Sequence, residues 1–125
     1  MNNIITTQLS YSQAIIVKDI AQNQIKTLIS VSANNDLLAS LPLGEKKDVI
    51  SKLLRDFSKL VDFPNHLFNI HGHSQAIFRH ELFTVTYGGK DARDVYNLDS
   101  YPVDDIKALW RKVIASQEFK PIQLN

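Results

Sequence analysis

The segment that decides the fold is YSQAIIVKDIAQNQIKTLISVSA, residues 11–33, because its pattern fits two different structures. In the first structure, residues 14–20 and 25–33 are two β-strands joined by the polar stretch AQNQ. The second strand alternates, and one of its faces carries Ile25, Thr27, Ile29 and Val31. This period of two is typical of a half-buried strand, and β-branched residues are enriched in strands. We therefore favour a β-hairpin over residues 11–33.

The alternative for the same segment is one α-helix. Ser10, followed three residues later by Gln13, has the spacing of a capping box, which marks a helix start. An apolar stripe at helical spacing would then follow, made of Val17, Ile20, Ala21, Ile25 and Leu28. The two alternatives lead to different folds, and circular dichroism separates them because the hairpin leaves far less of the chain helical.

A second ambiguous segment, residues 65–90, contains all four histidines. Residues 67–70 are predicted to form a short strand, HGHS a turn, and residues 75–87 a long strand that ends at Gly88 and Gly89. The long strand changes phase, since Phe78 and Leu82 have even numbers whereas Phe83 and Val85 have odd ones. A strand with one buried face needs a bulge for such a change. We favour a bulge near residues 79–83 over a short helix at residues 74–83 followed by a strand.

Two amphipathic helices are predicted with less ambiguity. Residues 45–61 place their apolar side chains on one wide helical face: Val49, Ile50, Leu53, Leu54, Phe57, Leu60 and Val61. Residues 102–116 begin with Pro102, which suits a first helical turn. Their apolar face consists of Val103, Ile106, Leu109, Trp110, Val113 and Ile114. Residues 37–41 are predicted to form a single helical turn that Pro42 ends.

These elements predict one α+β domain over residues 1–125. The order is (β)ββ-α-ββ-α, with residues 1–9 as the optional first strand. This order gives an antiparallel sheet of four to five strands with two amphipathic helices packed on one face. A chain of 125 residues suffices for one core, because a domain of this size buries about two-thirds of the surface of its unfolded chain.

Composition excludes several classes of protein. The net charge of +1 and the pI near 8.0 fall short of a dedicated nucleic-acid-binding domain, whose pI usually exceeds about 9. The absence of cysteine excludes disulfides, thiolate metal sites and a cysteine nucleophile. No stretch approaches the ~18 apolar residues of a membrane span, and the first residues lack the pattern of a secretory signal. We therefore expect a cytoplasmic protein without a membrane segment.

Histidines and basic side chains suggest two alternative sites. On a strand, His71 and His73 would point the same way and could share a metal, with His66, His80, Glu81 or an aspartate of residues 91–94 as third ligand. This pair would be the centre of a metal-dependent hydrolase. The other alternative is a nucleic-acid-binding regulator that uses the loop at residues 90–93 and the basic face of the first long helix, formed by Lys46, Lys47, Lys52, Arg55 and Lys59.

The function we favour is a small non-catalytic protein-binding module of a regulatory, inhibitory, immunity or chaperone-like kind. It would dock a protein partner through its sheet edge or its C-terminal aromatic region, with Trp110, Tyr96, Tyr101, Phe119 and Arg79 as candidate contacts. We expect homodimerisation as well, because exposed edge strands are often covered by pairing. No cofactor loop is present, and no serine lies in a nucleophile motif such as GxSxG. We therefore expect no enzymatic activity and no cofactor.

Overall fold

The computed structural model describes residues 8–41, 43–87 and 101–115, and all of the regular structure in these ranges is helical. Helices cover 85% of the described residues, none of which lies in a strand, so the predicted α+β fold with its antiparallel sheet is wrong. The elements are α1 (Tyr11–Ser32), α2 (Asn35–Ser40), α3 (Lys46–Asp62), a 3-10 helix (Pro64–Asn69), α4 (Gly72–Tyr87) and α5 (Val103–Ala115). The optional first strand, residues 1–9, falls mostly outside the described residues.

Residues 11–33 form the single helix of the alternative interpretation, and the predicted hairpin is wrong. The Ser10 hydroxyl accepts a hydrogen bond from the Gln13 N–H at 3.2 Å, and the Gln13 side chain accepts one from the Ser10 N–H at 3.1 Å. The buried side chains repeat at helical intervals: Gln13, Ile16, Val17, Ile20, Ala21, Gln24 and Leu28. β-Branched residues lower helix propensity by at most about 0.7 kcal/mol each, whereas burying one isoleucine gains about 1.5–3 kcal/mol. Burial therefore outweighs propensity.

The phase change in residues 75–87 has a simple cause, because this segment is helix α4 and not a bulged strand. Four of its buried residues, Gln75, Phe78, Leu82 and Val85, are separated by three, four and three positions, which is the period of a helix. The helix starts at Gly72, whose φ of +66° suits glycine. The predicted strand at residues 67–70 is wrong too, since most of it belongs to the 3-10 helix.

The other helical predictions are confirmed. Helix α3 matches the prediction for residues 45–61, α5 matches that for residues 102–116, and α2 contains most of the turn predicted at residues 37–41. The Asn34 side chain accepts a hydrogen bond from the Leu37 N–H at 3.1 Å and caps α2. The two long helices that the sequence predicted correctly, α3 and α5, each have a broad and uninterrupted apolar face.

The core lies where α1 packs along α3, with the 3-10 helix, α4 and α5 closing its remaining sides. Phe57 of α3 is fully buried at its centre, and Phe78 of α4 is almost fully buried. Other large side chains that are fully buried come from every long helix, from the 3-10 segment and from the residue after it: Ile16, Val17, Ile20, Leu53, Leu60, Leu67, Ile70, Leu82, Leu109 and Val113. The chain before α1 is fixed by a hydrogen bond from the Leu9 N–H to the Asn65 side chain at 2.8 Å.

Candidate functional site

A group of exposed apolar side chains lies where α4 meets α5. We call this group the aromatic ridge and define it as Phe83, Val103, Trp110 and Ile114. Phe83 and Val103 are each 49% exposed, Ile114 is 44% exposed, and Trp110 is half-buried. The rings of Phe83 and Trp110 meet edge to face, with centroids 5.6 Å apart and 65° between their planes. This geometry is favourable for aromatic pairs, so the two rings hold α4 and α5 together at the surface.

The ridge exists because the apolar stripe of α5 is wider than the core requires. Ile106, Leu109 and Val113 occupy the side of the helix that faces inward and are buried. The ridge residues of α5 are separated by seven and four positions, so they lie in one line beside that buried stripe. A tryptophan and two aliphatic side chains therefore lie along the border between the buried side of α5 and its solvent-facing side.

Positively charged side chains lie beside the ridge on both helices. Lys107 and Arg111 are exposed on α5, and Asp104 is the exposed acid beside them. Arg79 lies one turn before Phe83 on α4, on the same side of that helix. Its Nη1 atom is buried and has no hydrogen-bond partner among the described residues. We call these four residues, Arg79, Asp104, Lys107 and Arg111, the rim of the ridge. Three cations and one acid give the rim a net charge of +2 (three minus one).

The structure brings together part of the predicted partner-binding set. Trp110 lies in the ridge, Arg79 lies next to it, and Tyr101 packs partly buried against the core. Tyr96 and Phe119 lie outside the described residues. Sequence reasoning missed Phe83, Val103 and Ile114 as surface residues. Helical spacing places Val103 and Ile114 beside the buried stripe of α5, and it places Phe83 at the surface once α4 is taken as a helix.

Asp56 on α3 is the centre of a small polar network. Its Oδ2 atom accepts hydrogen bonds from Lys52 Nζ at 2.8 Å and from the Ser74 hydroxyl. Lys52 also donates to the carbonyl of His71 at 3.3 Å. Burial by itself would raise the pKa of Asp56, but these hydrogen bonds and the charges of Lys52 and His66 outweigh it and lower the pKa. The centre therefore joins α3 to the start of α4.

The serine and the carboxylate of this centre resemble a catalytic pair only superficially. Ser74 is fully buried, so its hydroxyl is out of reach of a substrate. It donates directly to Asp56, with no histidine between them to act as base. The pair is best explained as a structural link between two helices.

The two histidines of the metal hypothesis are not on a strand. His71 is exposed in the segment before α4, and His73 is half-buried in the first turn of α4. His71 lies before the helix and His73 lies within it, so the same-side alignment that a strand would give the pair is absent. Burial lowers the pKa of His66, Lys59 lowers it further, and Asp56 opposes them. Within the described ranges, no three His, Asp or Glu side chains are placed to hold a metal.

Two lysines of the basic face of α3 form contacts within the chain. Lys46 donates to the carbonyl of Ala39 at 2.7 Å, and Lys52 pairs with Asp56 at 2.8 Å. Lys47, Arg55 and Lys59 are exposed. The loop at residues 90–93 lies outside the described residues, so nucleic-acid binding stays a prediction.

No protein-family model matches the chain, and no curated protein or solved structure is significantly similar to it. In the described part of the chain, every helix is either too short or too polar to cross a membrane.

Proposed function

We propose that this chain is a small, non-catalytic protein-binding module that docks its partner through the aromatic ridge. The observation that carries the proposal is the exposure of Phe83, Val103 and Ile114 beside Trp110. The inward side of α5 is filled by other residues, so the ridge presents its exposed apolar surface outside the core. Contiguous exposed apolar surface with a polar rim is typical of interaction sites, and tryptophan is enriched among residues that dominate binding.

The charge of the rim indicates the chemistry of the partner. Lys107 stands between Val103 and Trp110 on the helix surface, and Arg79 and Arg111 flank the ridge. A partner with an apolar centre and carboxylates around it complements this pattern. A carboxylate can also bind a guanidinium through two parallel hydrogen bonds, which would offer an acceptor for the donors of Arg79.

A second copy of the chain is a poorer fit to the same surface. A symmetric dimer places each patch against its own copy, so the lysines and arginines of the two rims would face one another. Like charges in such positions oppose binding. The predicted homodimer also rested on exposed edge strands, and the described residues contain none. We therefore propose a different, acidic protein as the partner.

The non-catalytic character is supported by the use of the polar groups. The Asp56 centre is occupied by hydrogen bonds that join helices, and Ser74 is inaccessible. A cytoplasmic location stays a prediction.

The experiment that tests this proposal is affinity capture from host lysate with four tagged proteins. These are the natural chain, Phe83→Ser, Lys107→Glu, and Ile29→Ser as matched control, since Ile29 is 55% exposed on α1. We expect one stoichiometric protein that survives nuclease and high-salt washes with the natural chain and the control. Both other variants should lose it, and with purified partner their affinity should fall by about tenfold or more. Equal capture by all four proteins would contradict the proposal, as would recovery of nucleic acid alone.

A further inference from the structure

A second feature of the fold, independent of the aromatic ridge, is an open cleft between α1, α2 and α3. Its volume is about 340 Å³, which falls in the range of roughly 300–1,000 Å³ that small-molecule sites occupy. It is lined by Ser32 of α1, Leu38 of α2, and Lys47, Ile50, Ser51 and Leu54 of α3.

The interior of the cleft is aliphatic. Ile50 is 4% exposed, so it belongs to the core and forms the floor. Leu38 and Leu54 are half-buried, and they pack against the core with one side while they line the cleft with the other. A hydrocarbon chain in the cleft would remove apolar surface of these three residues from water, which is favourable.

Among the described residues that line the cleft, Lys47 is the one cation. Lys47 is exposed, and no hydrogen bond or ion pair engages its amine among the described residues. The positions three and four residues away on either side are Leu43, Gly44, Ile50 and Ser51, so no acid is placed for an intrahelical pair. Its neighbour Lys46 is held by the Ala39 carbonyl at 2.7 Å. Lys47 is therefore the cation that a ligand in the cleft can use.

Hydroxyl groups complete the polar part of the lining. Ser51 lies one turn after Lys47 on α3, on the same side of the helix. The Ser32 hydroxyl donates to the Ile29 carbonyl at 3.0 Å, so Ser51 is the better donor for a ligand. One amine and one hydroxyl suit a head group with a single negative charge, whereas phosphate sites usually combine several donors.

We propose that this cleft binds a small aliphatic carboxylate. The hydrocarbon chain lies against Leu38, Ile50 and Leu54, and the carboxylate accepts hydrogen bonds from the Lys47 amine and the Ser51 hydroxyl. Charge complementarity at Lys47 is what selects an acid over an alcohol or an amine of the same length.

The test is a titration of isotope-labelled full-length chain with octanoate, followed by amide NMR at concentrations below micelle formation. Octanol and octylamine carry the same chain with a different head, and acetate carries the head alone. We expect octanoate to shift the amide signals of residues around the cleft and to bind more tightly than the other three. Lys47→Gln should weaken octanoate by about tenfold and leave octanol unchanged. Lys26→Gln, at an exposed position of α1, is the matched control.

Three results would overturn the inference. Octanol or octylamine could bind as tightly as octanoate, or Lys47→Gln could bind octanoate like the natural chain. The shifts could also fall outside the cleft. A fourth result would overturn it as well: N-acetyl-leucine carries the carboxylate of a peptide end, and tighter binding than octanoate would assign the site to a peptide terminus and not to an aliphatic acid. Circular dichroism of each variant shows that a loss of binding is not a loss of fold.

Discussion

The amine of Lys112 in α5 donates a hydrogen bond of 3.0 Å to the Oε1 atom of Gln13 in α1, 99 residues earlier in the chain. The same amine donates to the carbonyl of Gln8 at 2.9 Å, and the same Oε1 accepts from the Ser10 N–H. Gln13 is 4% exposed, so water cannot replace these donors at its carboxamide oxygen. Gln13 and Lys112 thus connect the N-terminal cap of α1 to α5.

Replacing Lys112 by methionine should therefore destabilise the fold by about 1–2 kcal/mol, because a buried acceptor loses a charged donor. Urea unfolding followed by circular dichroism measures this change. Lys26→Met is the matched control, since Lys26 is exposed on α1, and we expect it to change stability by less than about 0.5 kcal/mol. Equal midpoints for the two variants would mean that the link contributes nothing.

The centre of helix α1 allows a direct test of helix against hairpin. Gln22 is exposed in the middle of α1, whereas the hairpin would place it in a turn. In a helix, Gln22→Gly should be about 1 kcal/mol less stable than Gln22→Ala. In a hairpin turn glycine would be tolerated or preferred, so the order of the two variants would be reversed. Thermal or urea unfolding of this pair decides between the two structures.

Gly72 at the start of α4 should resist substitution for reasons of backbone alone. Its φ is +66°, and a Cβ added there would meet no atom within 4 Å. The left-handed conformation costs an ordinary residue roughly 1–2 kcal/mol, and asparagine tolerates it better. We expect Gly72→Ala to lose about 1 kcal/mol or more in urea unfolding and Gly72→Asn to lose less. If alanine were the more stable of the two, α4 would not begin in this conformation.

Acid should destabilise the protein through Asp56 and His66. The folded-state pKa of Asp56 is lowered, so its contribution is complete above about pH 4 and is lost as the pH falls through the folded pKa. The pKa of His66 is also lowered. The unfolded imidazole therefore takes up its proton first, and stability already declines below about pH 6.5.

Asp56→Asn should remove the Asp56 part of this acid dependence and cost about 2 kcal/mol at neutral pH. Urea midpoints between neutral and acidic pH measure both effects. Asp48→Asn is the control, because Asp48 is exposed at the start of the same helix. Parallel pH profiles for the natural chain and Asp56→Asn would contradict the assignment.

Buried polar residues explain why the sequence predicted some elements and not others. Helices α3 and α5 were predicted because their inward faces are wholly apolar. In α1 the buried stripe includes Gln13 and Gln24, and in α4 it includes Ser74 and Gln75. These side chains interrupt the apolar period, and the neighbouring β-branched residues then suggest strands. Their burial depends on contacts with distant residues such as Lys112 and Asp56, which local patterns do not reveal.

Only part of the candidate site could be predicted from the sequence. Trp110 stood out as an interface residue because of its type and its position in an amphipathic helix. Phe83 did not, because an assumed strand placed it in the core. Its contact with Trp110 follows from the packing of α4 on α5, which only the tertiary structure supplies.

Site-specific photo-crosslinking in host cells can show whether the aromatic ridge contacts a protein partner. A photoreactive phenylalanine analogue would replace Phe83 in one variant and Ile29 in the other, since both side chains are about half exposed. We expect position 83 to crosslink to one defined protein with an acidic contact surface and position 29 not to crosslink to it. Crosslinking of the same proteins from both positions, or of none from position 83, would contradict this expectation.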